Sequence, residues 1–115
     1  MIEVLGTDEF ADWYGSLDEE DQAAVEHIVG LLEQRGVRLG FPHSSEIKGA
    51  SFALRELRKQ SGGRPLRIFY AFDPARNAVL ILGGDKTGDD RFYERTIPIV
   101  ERIWREYLAE RGAAR

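Results

Sequence analysis

With 115 residues, the chain is long enough for one domain built around one core and too short for two. Its 43% apolar and 31% charged residues suit a water-soluble globule, and no apolar run approaches the roughly eighteen residues a membrane span needs. Zero cysteines exclude disulfides and thiolate metal sites, and two histidines, His27 and His43, are too few for a histidine-rich metal centre. Met1 to Val4 lacks the basic and apolar regions of a signal peptide, so the expected setting is the reducing cytoplasm, without a membrane.

The formal net charge of -4 conceals an asymmetry. Residues 1–35 carry ten acidic side chains against Arg35 alone. Between positions 48 and 67 stand Lys48, Arg55, Arg58, Lys59, Arg64 and Arg67 against the single acid Glu56. A basic segment in an acidic chain can meet a polyanion, or it can be an ordinary solvated strand face.

In chain order, Met1–Leu5 reads as a short strand. Thr7 or Asp8 then caps a short helix, 9–15, with Phe10, Trp13 and Tyr14 at helical spacing and Gly15 as its stop. Ser16 and Glu19 have capping-box spacing, and Leu17, Ala24, Val25, Ile28, Val29, Leu31 and Leu32 form the apolar stripe of a second helix ended by Gly36. Residues 36–51 read as a loop broken by Gly40, Pro42 and Gly49. Three strands follow, at about 52–59, 66–73 and 78–82, with turns at Ser61-Gly62-Gly63 and at Asp73–Asn77, and Gly83-Gly84 closes the last strand. After the polar loop 85–90 and a helical turn near Arg91–Arg95, Pro98 starts the final helix. Gly112 ends it, leaving a frayed tail, 112–115. The expected fold is α+β, residues 1–115 forming one domain: an N-terminal strand and helical hairpin packed on one face of a small antiparallel sheet, with a C-terminal helix.

No phosphate-binding glycine loop, serine elbow or histidine-paired nucleophile is present. The chemistry-bearing residues are cations and tyrosines. Arg55 and Arg58 lie on one hairpin arm, Arg67 and Tyr70 on its partner, Lys86 and Arg91 past the last strand, and Tyr93 beyond them. Alternation relative to Leu54 and Ile68 places Arg55 and Arg67 together on the face without helices, and Arg58 on the opposite side. Guanidinium groups beside tyrosine rings suit single-stranded RNA, whose phosphates they neutralise and whose bases they stack. Surface solubility for the arginines and packing at the core edge for Tyr70 and Tyr93 are the alternatives. His43 reads as a surface loop residue, and His27 as solvated or on the rim of the hairpin.

Together the runs Leu54-Arg55-Glu56-Leu57-Arg58, Arg67-Ile68-Phe69-Tyr70-Ala71-Phe72, Leu82-Gly83-Gly84-Asp85-Lys86-Thr87-Gly88, Arg91-Phe92-Tyr93 and Ile97-Pro98 resemble the phage-derived HigB-type toxins of the RelE/ParE superfamily. The resemblance covers nearly the whole chain in order. It implies a RelE-like fold and a ribosome-dependent, metal-independent endoribonuclease that cuts messenger RNA without a cofactor. The implied partners are a helix-turn-helix antitoxin encoded beside it and the message on the ribosome, with DNA met only through the antitoxin complex. By motif position, Arg67 would stabilise the phosphate, Lys86 and Arg91 would be the basic residues after the last strand, and Tyr93 would stack or handle a proton. Lys48, Arg55, Arg58, Lys59 and Tyr70 would contact RNA. The chain departs from relatives in having no histidine after His43 and in being acidic overall. The same scaffold also serves ParE-like inhibitors of DNA gyrase and members that only bind an antitoxin, which remain open alternatives.

Overall fold

The computed structural model describes residues 1–113. In chain order the elements are β1 (Val4–Gly6), α1 (Asp8–Gly15), α2 (Glu19–Arg35), a 3-10 turn (Gly36–Arg38), β2 (Ser44–Glu46), β3 (Arg55–Ser61), β4 (Arg64–Phe72), β5 (Ala78–Asp85) and α3 (Phe92–Ala113). The α+β order expected from the sequence is present. The last two residues of the expected frayed tail, 114 and 115, lie outside the described residues, while Gly112 is within α3 rather than at its end.

The helices start where side chains satisfy their first backbone N–H groups. Thr7 Oγ1 accepts from Phe10 N at 3.0 Å and donates to Ile81 O at 2.7 Å, fastening the start of α1 to the sheet. The cap of α2 is Asp18, which accepts from Asp21 N at 2.8 Å. The Ser16–Glu19 box therefore does not form. Ser16 instead closes α1, its hydroxyl donating to Trp13 O at 2.6 Å. Such a cap contributes about 1 kcal/mol, whereas Val25, Ile28 and Leu32 of α2 are each almost wholly buried and contribute about 2 kcal/mol apiece. Burial, more than capping, fixes where α2 lies.

The five strands form one sheet in the order β1-β5-β4-β3-β2. It is mixed, because β1 pairs parallel with β5 while the other pairings are antiparallel. The β3–β4 hairpin turns through Gly62 and Gly63 at φ +56 and +78, the left-handed region a two-residue turn requires. Between β4 and β5 the register slips: Phe69 faces Leu82 and Tyr70 faces Leu80, so Ile81 is an extra residue.

Helices cover both faces of this sheet, not one. On the first face α1 and α2 pack over Leu57, Leu66, Ile68, Tyr70 and Leu80. On the second, α3 lays Val100, Ile103 and Trp104 over Leu54, Phe69, Ala71, Val79 and Ile81. α3 begins at Phe92, six residues before Pro98, so the proline sits inside the helix, where it removes one backbone donor without ending it.

The Gly83-Gly84 pair does not end β5; it thins it. A Cβ on Gly83 would stand 2.3 Å from the Trp13 ring of α1, and one on Gly84 would stand 2.8 Å from Phe92 of α3. Aromatic rings press on the backbone from opposite faces at consecutive positions. Gly83→Ala should therefore destabilise the fold by about 2 kcal/mol, a fall of roughly 10 °C in Tm by thermal melting. Adding Trp13→Leu should restore part of the loss. An unchanged Tm in the single variant would show that the indole can move aside freely.

Candidate functional site

The pairing of β3 with β4 decides which cations meet. Arg58 stands directly opposite Arg67, and Arg55 opposite Tyr70. Directly opposed residues of an antiparallel pair project from the same face, so Arg58 and Arg67 share a face while Arg55 lies on the other. This reverses the face assignment expected from alternation. Leu54 packs under α3 and Ile68 under α2, so the two apolar residues used as references lie on opposite sides of the sheet.

Two guanidinium groups facing each other repel. Between them stands Glu56, on the same face as Arg58 by the two-residue period of the strand. Its Oε2 is 3.4 Å from Arg58 Nη1, and its Oε1 is 3.7 Å from Arg67 Nε. Ser45 Oγ donates to the same carboxylate at 2.9 Å, and Tyr93 OH donates to it at 2.7 Å. Arg67 Nε donates in turn to the Tyr93 oxygen at 3.4 Å, and Arg67 Nη1 donates to Leu66 O at 3.0 Å. Glu56 is only 3% exposed and Arg67 5%. A charged pair that dry persists because each partner is bonded several times.

Tyr93 comes from the second residue of α3, and its ring packs edge-on against Phe69 and Phe92. Burial, and then the bond to Glu56, raise its pKa above the ordinary tyrosine value, although Arg67 opposes the shift. The phenol thus holds its proton at neutral pH. Lys86 places its ammonium 5.2 Å from the centre of the Tyr93 ring, and its backbone N–H donates to Pro65 O at 3.1 Å. Beside this group lies a shallow depression of about 220 Å³, lined by Pro42, Arg58, Lys59, Gln60 and Arg67.

Of the residues singled out from the sequence, Arg58, Arg67, Lys86 and Tyr93 come together. Tyr70 does not join them: it is buried on the face under α1 and α2, its hydroxyl sharing a 2.5 Å hydrogen bond with Ser44 Oγ. Arg55 Nε donates to that Ser44 oxygen at 3.1 Å. Lys59 lines the depression, but its ammonium reaches His27 Nδ1 of α2 at 3.1 Å. Lys48 is exposed in the loop after β2, and Arg91 is exposed just before α3. Arg64, part of the basic segment, bonds Asp21 at 2.6 Å, and this contact with that of Ser61 lowers the Asp21 pKa. His43 O accepts from Arg58 N at 2.9 Å, so that loop is stitched to β3 through backbone.

Glu56 is the member that sequence reading missed. It was visible only as the one acid in a basic stretch, two residues before Arg58 on the same strand face. Among the described residues, no group of three or more histidine, aspartate or glutamate side chains is placed to hold a metal ion, and no helix is long and apolar enough to cross a membrane.

Residues 12–105 match the family described as phage-derived Gp49-like proteins. A Mycobacterium tuberculosis protein named HigB3, and called a toxin in that name, is 39% identical over 99 residues, covering 84% of this chain and 85% of the relative. HigB2 of the same organism, also called a toxin by name, is 35% identical over 101 residues, which is 85% of this chain and 50% of HigB2. No solved structure matches the chain. With most of its length matched by the family model, the chain belongs to the phage-derived Gp49-like family, and it is similar over most of its length to the HigB-named proteins.

Proposed function

We propose that the protein is the toxin of a toxin–antitoxin pair and an endoribonuclease that cuts messenger RNA on the ribosome. The relatives named as HigB toxins support the first part and imply a cognate antitoxin, for which a helix-turn-helix protein is the expected partner. The observation that carries the second is the juxtaposition of Arg58 and Arg67 across the β3–β4 ladder, with a buried carboxylate between them and a protonated phenol above. Arg58, Arg67 and Lys86 against Glu56 leave an excess of two positive charges beside an open depression, so the place suits a phosphodiester despite the acidic chain.

The reaction requires no resident cofactor. With the scissile phosphate against Arg58 and Arg67, the ribose 2′-hydroxyl attacks phosphorus in line and gives its proton to solvent water, while the buried Glu56 holds the two arginines in place. The O2′–P bond forms as the P–O5′ bond breaks, and Lys86 gives the departing 5′-oxygen its proton. The products are a 2′,3′-cyclic phosphate and a 5′-hydroxyl. The arginines stabilise the charge that builds on the non-bridging oxygens, and Tyr93 holds the carboxylate in place. In this scheme Lys86 supplies the proton of the leaving group, while Arg91 and Lys48 guide the RNA from the surface.

Induction of the protein in a bacterium should arrest growth and produce messages with new 5′-hydroxyl ends, mapped by 5′-end sequencing. Arrest with intact messages would overturn the nuclease reading. Arrest with DNA breaks and lost supercoiling would assign the protein to gyrase inhibition instead.

A further inference from the structure

Phe41 is a large apolar side chain left 78% exposed. It is nevertheless held on a rigid support. The turn that carries it is closed by His43 N and Ser44 N, both donating to Gly40 O at 3.0 Å, and is tied to β3 by the bond from Arg58 N to His43 O at 2.9 Å. The Arg58 guanidinium lies over the ring, 5.5 Å from its centre. The next residue, Pro42, forms a wall of the depression that Arg58 and Arg67 also line. An open aromatic face is thus fixed at the lip of the depression that Arg58 and Arg67 line, and Phe41 belongs to neither core cluster of the described residues.

From this arrangement we infer that Phe41 is a nucleobase platform. The base next to the phosphate held by Arg58 and Arg67 stacks on the Phe41 ring, with Arg58 bridging the ring and the phosphate. A benzene ring carries no hydrogen-bonding groups, so the platform accepts any base and contributes affinity and alignment rather than sequence choice. Arg58 then has two duties, cation–π partner to the ring and counter-charge to the backbone. The ring's fixed turn means that little order has to be imposed when RNA arrives. This inference rests on the proposed RNA substrate.

The test is single-turnover cleavage of a short message presented on purified bacterial ribosomes, at subsaturating protein. Phe41→Ala should slow cleavage roughly tenfold, the order expected for losing one base–aromatic stack, and Phe41→Trp should retain or exceed the parent rate. Replacing the nucleotide beside the cleaved bond with an abasic one should slow the parent by a similar factor and leave Phe41→Ala almost unchanged. Because Phe41 is exposed, the variants should melt as the parent does. If the parent cuts the message and Phe41→Ala cuts it equally fast, the platform is refuted while the nuclease stands. The platform is also refuted if the alanine loss persists undiminished on the abasic message, since the ring would then be contacting something other than a base. If the parent cuts no message at all, the nuclease reading falls and takes the platform with it.

Discussion

Arg67→Ala should abolish most of the toxicity, lowering the rate of message cleavage by about 10²–10³-fold, the loss typical of removing one preorganised charge-stabilising donor. It should also destabilise the fold, because the change strands Glu56 in a buried position with one cation fewer. Breaking a buried pair from one side costs on the order of 3 kcal/mol. The two effects can be separated. Adding Glu56→Gln to Arg67→Ala removes the stranded charge, so the double variant should be more stable than the single one in urea unfolding, yet still inactive. Arg67→Lys should keep much of the stability but not the activity, since an ammonium cannot reproduce the guanidinium's bonds to Tyr93 and Leu66 O together. Full cleavage by a folded Arg67→Ala protein would place the reaction somewhere other than the β3–β4 ladder.

The second large effect is expected at Tyr93. Tyr93→Phe keeps the ring that Phe69 and Phe92 pack against and that Lys86 sits over, and removes only the hydroxyl bonded to Glu56 and Arg67. Its stability loss should be about 1 kcal/mol, while cleavage should fall roughly 10²-fold as the carboxylate loses its alignment. The pH dependence gives a further check. The raised pKa keeps the phenol protonated below the ordinary tyrosine value of about 10. The ratio of parent to variant rates should therefore stay constant from about pH 6 to 9. A ratio that changed with pH in that window would mean that the Tyr93 proton itself is titrating during the reaction.

The fold was readable in the chain because its signals were local. Thr7, Gly15, Gly36, the Gly62-Gly63 turn and the alternation of β4 each act within a few residues. What escaped was non-local. The face on which Arg55, Arg58 and Arg67 project depends on the β3–β4 register, and period-two alternation gives sides within a strand but not the side its partner shares. Leu54 and Ile68 are both apolar, and only a sheet covered on both faces puts them on opposite sides. Gly83 and Gly84 look like punctuation until Trp13 and Phe92, far apart in sequence, are brought against them. Pro98 suggested a helix start separate from the turn expected at Arg91–Arg95, whereas the two are one helix beginning at Phe92, whose buried ring packs with α3 against the sheet. Among the residues of the candidate site, Arg67, Lys86 and Tyr93 were singled out through the resemblance. Glu56 was not, since its role arises only once two arginines face each other across it.

The position of Tyr93 also sets a schedule. The strands that carry Arg58, Glu56 and Arg67 are synthesised before the phenol, and α3 can dock only after Val100, Ile103 and Trp104 have also left the ribosome that makes them. Until then a growing chain holds the cations and the carboxylate without the group that aligns them. As proposed, the site is therefore incomplete until α3 has closed over the sheet. A message broken before the Tyr93 codon yields a fragment that lacks the aligning phenol.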